Sequence, residues 1–163
     1  MAEIGDRQVA TNDLGVMAAG AAVLVCSLLP YYGVSYNLGG AGFSASFNAW
    51  HGYAFLGLLL LLGAAGVVAA RVFGGVTLPP TPVGWHVIVA GAAGLGMVLV
   101  VLRALTYPHA TVPGGSFGVR WGGWLLFLAA IAETVFAVLA LRESGERVSF
   151  DRGPQESPPP ATT

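Results

Sequence analysis

The sequence predicts an all-α membrane protein in which four transmembrane helices form one bundle, with a short β-hairpin in the first extracytoplasmic loop. Composition is the first reason: 55% of the 163 residues are hydrophobic, only 9% are charged, and the mean hydropathy is +0.73. Soluble domains usually carry about 25% charged residues. The second reason is the presence of four apolar segments of about 20 residues, the length that a helix needs to cross a hydrocarbon core about 30 Å thick.

The four helices are predicted at about residues 14–34, 50–70, 85–106 and 121–141. An acidic N-terminal tail, residues 1–13, precedes the first helix, and no small-x-small site closely follows that helix. We therefore expect the segment to be retained rather than removed as a signal peptide. Residues 142–163 mix charges with prolines and have no periodic apolar face, so we expect a disordered tail.

A β-hairpin is predicted between the first two helices. The segment YYGVSYNLGGAGFSASFNAW alternates large with small or polar residues on both sides of a glycine-rich turn. Such a period of two around a turn is typical of paired strands. The loop after the third helix, YPHATVPGGSFGVRW, is expected to add one or two irregular strands, because an isolated hairpin is only marginally stable in water.

The arginines indicate an orientation. The chain contains no lysine, and five of its seven arginines lie in the two tails or in the middle loop. Only Arg103 and Arg120 lie towards the other two loops. By the positive-inside rule we expect both termini and the middle loop in the cytoplasm.

Small residues are expected to form the contacts between the helices, because helices in lipid associate by close packing and polar contacts rather than by excluding water. Small residues recur at spacings of three, four or seven along the predicted helices. The predicted packing positions are Gly63, Gly66, Gly91, Gly94, Gly96, Ala129 and Ala137.

Glu133 is the polar candidate inside the membrane. An unpaired carboxylate is costly at this depth, so we expect the neutral form or a hydrogen-bond donor nearby. The helix rise places Glu133 roughly 12 Å from the cytoplasmic boundary, level with Gly63 and Gly91. Two interpretations stay open: Glu133 holds the bundle together by bonding to the backbone or to a hydroxyl such as that of Ser27, or it carries protons.

Arg103, His109 and Arg120 are the candidates for binding an anion or a lipid headgroup at the outer face. An alternative role explains the two arginines equally well: their charged ends reach the membrane interface and orient the chain. His51 and His109 could approach each other, but two imidazoles without an acid or thiolate make a poor metal site. Cys26 is the only cysteine and can form no intrachain disulfide. No metal, cofactor or catalytic residue is expected.

The motifs LLPYYGVSYNLGGAGFSASFNAWHG, VLRALTYP and LALRESGE resemble those of small four-helix integral membrane proteins of actinobacteria. The resemblance covers about residues 14–146 and implies a multi-pass protein of a bacterial plasma membrane, without implying an activity. The architecture is also similar to that of claudin-type tetraspan proteins. Their first loop carries a cysteine pair and a Gly-Leu-Trp signature that this chain lacks, so that likeness concerns architecture alone.

The sequence favours a non-enzymatic membrane protein that acts through protein–protein contacts, as an accessory or organising subunit of a bacterial envelope complex. The expected partners are membrane lipids and either other membrane proteins or further copies of the chain. A net charge of −1 offers no basic stripe for nucleic acid. The alternative is a small oligomeric proton-coupled transporter or channel that uses Glu133. A lipid-modifying enzyme is disfavoured, because the sequence contains neither a phosphate-binding loop nor a nucleophile elbow.

Overall fold

The computed structural model describes residues 2–4, 7–38, 41–76, 79, 81, 83–106 and 115–146, and most of them are helical. The helices are α1 (Thr11–Ser27), α2 (Ala54–Gly74), α3 (Trp85–Thr106) and α4 (Trp121–Ser144). The strands are β1 (Ala2–Ile4), β2 (Arg7–Val9), β3 (Tyr32–Leu38), β4 (Ala41–Phe47) and β5 (Gly115–Val119).

Three of the helices are long and apolar enough to cross a membrane. They are α2, α3 and α4, with 21, 22 and 24 residues. At 1.5 Å per residue each exceeds a hydrocarbon core of about 30 Å. The fourth helix, α1, is apolar but has 17 residues. The fold is therefore compatible with an all-α membrane protein.

The end of α1 differs from the prediction. The helix begins at Thr11 and ends at Ser27, whereas the sequence predicted residues 14–34. Pro30 explains the early end, because proline has no N–H to continue the helix and its ring disfavours helical geometry in the residue before it. The remaining residues of the predicted helix turn and enter β3.

The other helices keep the predicted order with shifted ends. α2 begins four residues later than predicted, at Ala54, and ends before Gly75, whose φ of +57° gives the left-handed conformation common after a helix. α3 covers the residues predicted for it. α4 continues to Ser144, so residues 142–144 are helical rather than part of a disordered tail. Residues 147–163 of that tail lie outside the described residues.

A three-stranded antiparallel sheet in the order β4-β3-β5 closes one end of the helices. The hairpin predicted after the first helix is present, with Tyr32 opposite Phe47. β5 pairs with the other edge of β3, with Tyr32 opposite Val119, so the loop after α3 contributes one strand. We call this end of the bundle the sheet end. A separate pair, β1 with β2, precedes α1 and was not predicted.

The helices form a ring in which α1 and α3 each contact both α2 and α4. Glycines permit the closest approach: a Cβ added to Gly96 on α3 would lie 2.7 Å from the carbonyl oxygen of Gly57 on α2. On α1, a Cβ at Gly20 would collide with the Cβ of Ala65 on α2. These pairs allow the backbones to pack at small separation, as is common between helices in lipid.

Some of the predicted packing positions are in the core and others are not. Gly96, Ala129 and Ala137 are buried. Around Gly94 an added Cβ would meet only the Thr134 side chain, at 3.9 Å. The exposed positions, at which an added Cβ would meet no atom within 4 Å apart from the adjacent backbone of its own helix and its chain neighbours, are Gly63, Gly66 and Gly91. Their assignment to contacts within the bundle was wrong, because α2 and α3 carry small residues on outward as well as inward faces.

Candidate functional site

Glu133 lies at the centre of the bundle, with 0% of its surface exposed. It projects from the buried face of α4 that also contains Ala130 and Ala137. Gly20 of α1 faces it, since a Cβ there would stand 3.8 Å from Cδ of Glu133. The same added Cβ would touch Ala65 of α2, so three helices converge on the carboxyl group. Small residues on α1 and α2 leave the space that the acid fills.

Neither carboxyl oxygen of Glu133 has a hydrogen-bond partner among the described residues, although both are buried. The expected bond to Ser27 is not formed: the Ser27 hydroxyl donates to the carbonyl of Leu24 at 2.7 Å and accepts from Nε1 of Trp50 at 3.0 Å. Nor do Gly63 and Gly91 surround the acid, since both are exposed. An ionised group in this setting would cost several kcal/mol, so burial favours the neutral carboxylic acid.

A second feature is an apolar groove on the outer surface of α2 and α3, which we call the α2–α3 groove. Its volume is about 180 Å³. It is lined by Leu59, Leu60, Gly63, Ala64, Val67, Trp85, Ile88, Val89 and Ala92. The lining offers no charged group. Because Gly63 lies in its wall without a side chain, backbone is accessible there to a close neighbour.

The structure separates the two arginines predicted to bind anions together. Arg103, in the last turn of α3, lies with its guanidinium carbon 5.2 Å from the ring centroid of Tyr53. Arg120 precedes α4 and packs against Gly33 of β3. The two side chains line different cavities, and Arg103 shares its cavity with His51 instead. His109 lies outside the described residues.

A polar cluster at the end of the bundle away from the sheet was not predicted. Nδ1 of His86 lies 3.1 Å from Oε1 of Glu146, and the backbone N–H of His86 donates to Oε2 at 3.0 Å. Arg71 of α2 donates to Nε2 of His86 at 3.3 Å. Because a guanidinium only donates, this contact favours the tautomer with its proton on Nδ1. The cluster joins the ends of α2, α3 and α4.

Electrostatics around Glu146 follow from these contacts. Partial burial by itself raises the pKa of the carboxyl. The close contact with the side chain of His86, the hydrogen bond from its backbone N–H and the charge of Arg71 outweigh burial and lower the pKa below its ordinary value. The carboxylate also stands at the N-terminal end of α3, where unpaired N–H groups favour a negative charge. Glu146 lies just beyond the C-terminal end of α4 and thus caps the N-terminal end of α3.

The only sequence signal for this cap is Gly84. A Cβ at this position would overlap the carboxyl group of Glu146. A glycine directly before a predicted helix is compatible with many local structures, and the distant partner is visible only once α3 and α4 are packed side by side.

Comparisons with known proteins add no family to these observations. No protein-family model matches the chain, and a search of curated proteins finds no relative.

Proposed function

We propose that this chain is a non-enzymatic membrane protein that crosses a bacterial plasma membrane four times, with both termini in the cytoplasm, and acts as an accessory or organising subunit. The observation that carries the proposal is the α2–α3 groove, whose wall contains the exposed Gly63. We assign as its occupant a transmembrane helix of another membrane protein.

The distribution of small residues supports this assignment. Contacts inside the bundle use Gly20, Gly57 and Gly96, whereas Gly63, Gly66 and Gly91 face outward. In lipid, exposed glycines allow the backbone of a second helix to approach closely. An acyl chain gains little from such positions, because it brings no rigid backbone to pack against them.

The four-span arrangement rests on packing as well as length. α1 would be about 26 Å long, slightly less than the hydrocarbon core. It nevertheless contacts both α2 and α4 along the bundle, and the β-sheet extends the chain beyond its C-terminal end. An even number of spans returns the chain to the side from which it started, and the arginine distribution then favours cytoplasmic termini.

A groove-filling substitution tests the proposal. The protein, tagged at its C terminus, is extracted from its native membrane in a mild detergent, and co-purifying proteins are quantified by mass spectrometry. We expect a stoichiometric membrane partner with the unmodified chain and about tenfold less of it with Gly63→Leu. The matched control is Ala22→Leu, which adds the same side chain to an exposed position on α1. Recovery of the protein alone, or equal partner recovery with Gly63→Leu, contradicts the proposal.

A second candidate is a small oligomeric proton-coupled transporter or channel. The observation that favours it is the pair of buried Glu133 oxygens without hydrogen-bond partners in the described part of the chain. Intramembrane acids without structural partners are typical of proton pathways. Four helices of this length enclose little volume, so the pathway requires more than one copy.

Proton flux into proteoliposomes containing a pH-sensitive dye tests this candidate. We expect Glu133→Gln to abolish the flux while the oligomer remains intact on size-exclusion chromatography. Glu143→Gln is the control, because Glu143 is an exposed acid on the same helix. Equal flux through the unmodified protein and Glu133→Gln would remove this candidate.

A further inference from the structure

A cavity at the sheet end has the groups needed to bind an anion. Its volume is about 190 Å³, and it is lined by Tyr31, Tyr32, Phe47, Asn48, His51 and Arg103. We call it the sheet-end cavity. Pockets for drug-sized ligands usually start at about 300 Å³, so this space suits a single polar group rather than a whole organic ligand.

Arg103 is positioned for this role by its neighbours. Its guanidinium lies beside the Tyr53 ring, at 5.2 Å from the centroid, a distance that permits a cation–π interaction. Gly52 adopts φ +68°, and a Cβ there would lie 3.1 Å from Nε of Arg103. These contacts restrict the side chain before a ligand arrives. Less rotational freedom is then lost on binding than for an exposed arginine.

Asn48 and His51 are oriented by a local turn. Oδ1 of Asn48 accepts from the backbone N–H of Trp50 at 3.3 Å and from Nδ1 of His51 at 3.0 Å. Within the described residues, no hydrogen bond uses the amide NH₂ of Asn48 or Nε2 of His51. The two groups are the remaining polar atoms of side chains that line the cavity with Arg103. Tyr31 serves as a wall, because its hydroxyl already donates to the carbonyl of Val100 at 2.7 Å.

The charge distribution at the sheet end favours an anionic ligand. No aspartate or glutamate occurs between Asp13 and Glu133 in the sequence. That stretch contains both loops at the sheet end together with Arg103 and Arg120. The sheet end therefore has a positive field, which attracts anions and repels metal cations.

The exposed tryptophans at this end of the bundle indicate where the anion comes from. Trp121 and Trp124 lie in the first turn of α4 at this end and are 59% and 63% exposed. Exposed tryptophans at helix ends mark the level of lipid headgroups. A lipid phosphate at that level is at the same end of the bundle as the cavity, while its acyl chains remain in the bilayer.

We propose that the sheet-end cavity binds the phosphate of an anionic phospholipid. The phosphate oxygens accept hydrogen bonds from the guanidinium of Arg103 and the amide NH₂ of Asn48. Arginine suits this contact because its planar fork of donors can bind two phosphate oxygens at once. The proposal does not depend on the α2–α3 groove or on Glu133.

Native mass spectrometry of the purified full-length protein tests this site. The protein is titrated with phosphatidylglycerol, with phosphatidylcholine, and with phosphatidylglycerol in the presence of inorganic phosphate. We expect phosphatidylglycerol to bind with defined stoichiometry, phosphatidylcholine to bind more weakly, and inorganic phosphate not to compete. Competition by inorganic phosphate would overturn the assignment to a lipid, and equal binding of the two lipids would overturn the anion site.

Two variants test whether Asn48 and Arg103 bind the phosphate. Asn48→Asp keeps the acceptor oxygen of the turn but replaces the NH₂ donor with a negatively charged oxygen, and Arg103→Gln removes the cation. Each should bind phosphatidylglycerol about tenfold more weakly, as expected for the loss of one hydrogen bond to a charged group. Ser46→Asp is the control, because it adds the same charge to an exposed position of β4 outside the cavity. Unchanged affinity in a folded Asn48→Asp protein would overturn the proposal, even if Arg103→Gln proves unstable.

Discussion

At the scale of single residues, the environment of Glu133 leads to a prediction about stability. A buried polar group without a partner costs about 1–3 kcal/mol, and a leucine of similar size removes that cost. We therefore expect Glu133→Leu to unfold at a higher temperature than the unmodified protein in detergent. Circular dichroism during heating measures the change, with Glu143→Leu as the control at an exposed position of α4. A lower unfolding temperature would mean that hydrogen bonds to Glu133 hold the bundle together.

Gly20 provides a second prediction at this scale. An alanine Cβ there would collide with Ala65 and approach the Glu133 carboxyl group, so the helices would have to separate. We expect Gly20→Ala to lower the free energy of unfolding by about 1–3 kcal/mol. Gly66→Ala is the matched control, because nothing lies within 4 Å of its added Cβ. There the better helix propensity of alanine should leave stability equal or raise it by up to about 1 kcal/mol. Equal destabilisation by both variants would contradict the close contact at Gly20.

The location of Glu133 could be predicted from the sequence, but its surroundings could not. Ala129 and Ala137 lie one turn to either side of it and are buried with it, so the spacing identified the inward face of α4. α2 is apolar around its whole circumference, and its periodicity therefore distinguishes no inward face. Gly63 was for this reason assigned to the core, while Gly57, which contacts α3, was missed.

At the scale of elements, the cap on α3 gives a pH-dependent prediction. Because the pKa of Glu146 is lowered in the folded state, its contribution to stability is present above the ordinary carboxyl value of 4.5 and is lost as the pH falls through the lowered value. The side chain is 32% exposed, so the loss should be at most about 1 kcal/mol. Hydrogen exchange of the first amides of α3, measured between pH 7 and pH 3, would detect it after correction for the intrinsic rates.

The same cap can be removed in two ways. Glu146→Gln should increase exchange at the start of α3 at pH 7 and abolish its pH dependence. Gly84→Ala should have a similar effect, because the added Cβ would occupy the position of the Glu146 carboxyl. Glu143→Gln, at an exposed acid of the same helix, should leave exchange unchanged. Protection that stays the same in both cap variants would show that the contact does not stabilise α3.

Elements defined by local signals were predicted more accurately than those that depend on packing. The β3–β4 hairpin follows from alternation around a glycine-rich turn, and its pairing is local along the chain. The early end of α1 was missed, because the apolar run continues past Pro30 although the backbone enters β3. The cluster of Arg71, His86 and Glu146 joins three helices, and the glycine before α3 that accompanies it is compatible with many local structures.

At the scale of the whole molecule, the position of α1 decides the topology. With 17 residues it is the shortest of the described helices, yet it packs against α2 and α4, which have the length of spanning helices. If α1 spans the membrane, Thr11 at its N-terminal end and Ser44 in the sheet must lie on opposite sides. If α1 lies at the membrane surface, they must lie on the same side.

Cysteine labelling distinguishes these arrangements. In a Cys26→Ser background, which removes the only native cysteine, single cysteines are introduced as Thr11→Cys, Ser44→Cys and Ser144→Cys, all at exposed positions. We expect an impermeant maleimide to label intact cells at position 44 alone and to label positions 11 and 144 only after the membrane is permeabilised. Three helices of spanning length, α2, α3 and α4, separate position 44 from position 144, so these two positions are expected on opposite sides of the membrane. The Ser144→Cys variant therefore serves as the internal reference. Labelling of positions 11 and 44 from the same side would reduce the protein to three spans and place its termini on opposite sides of the membrane.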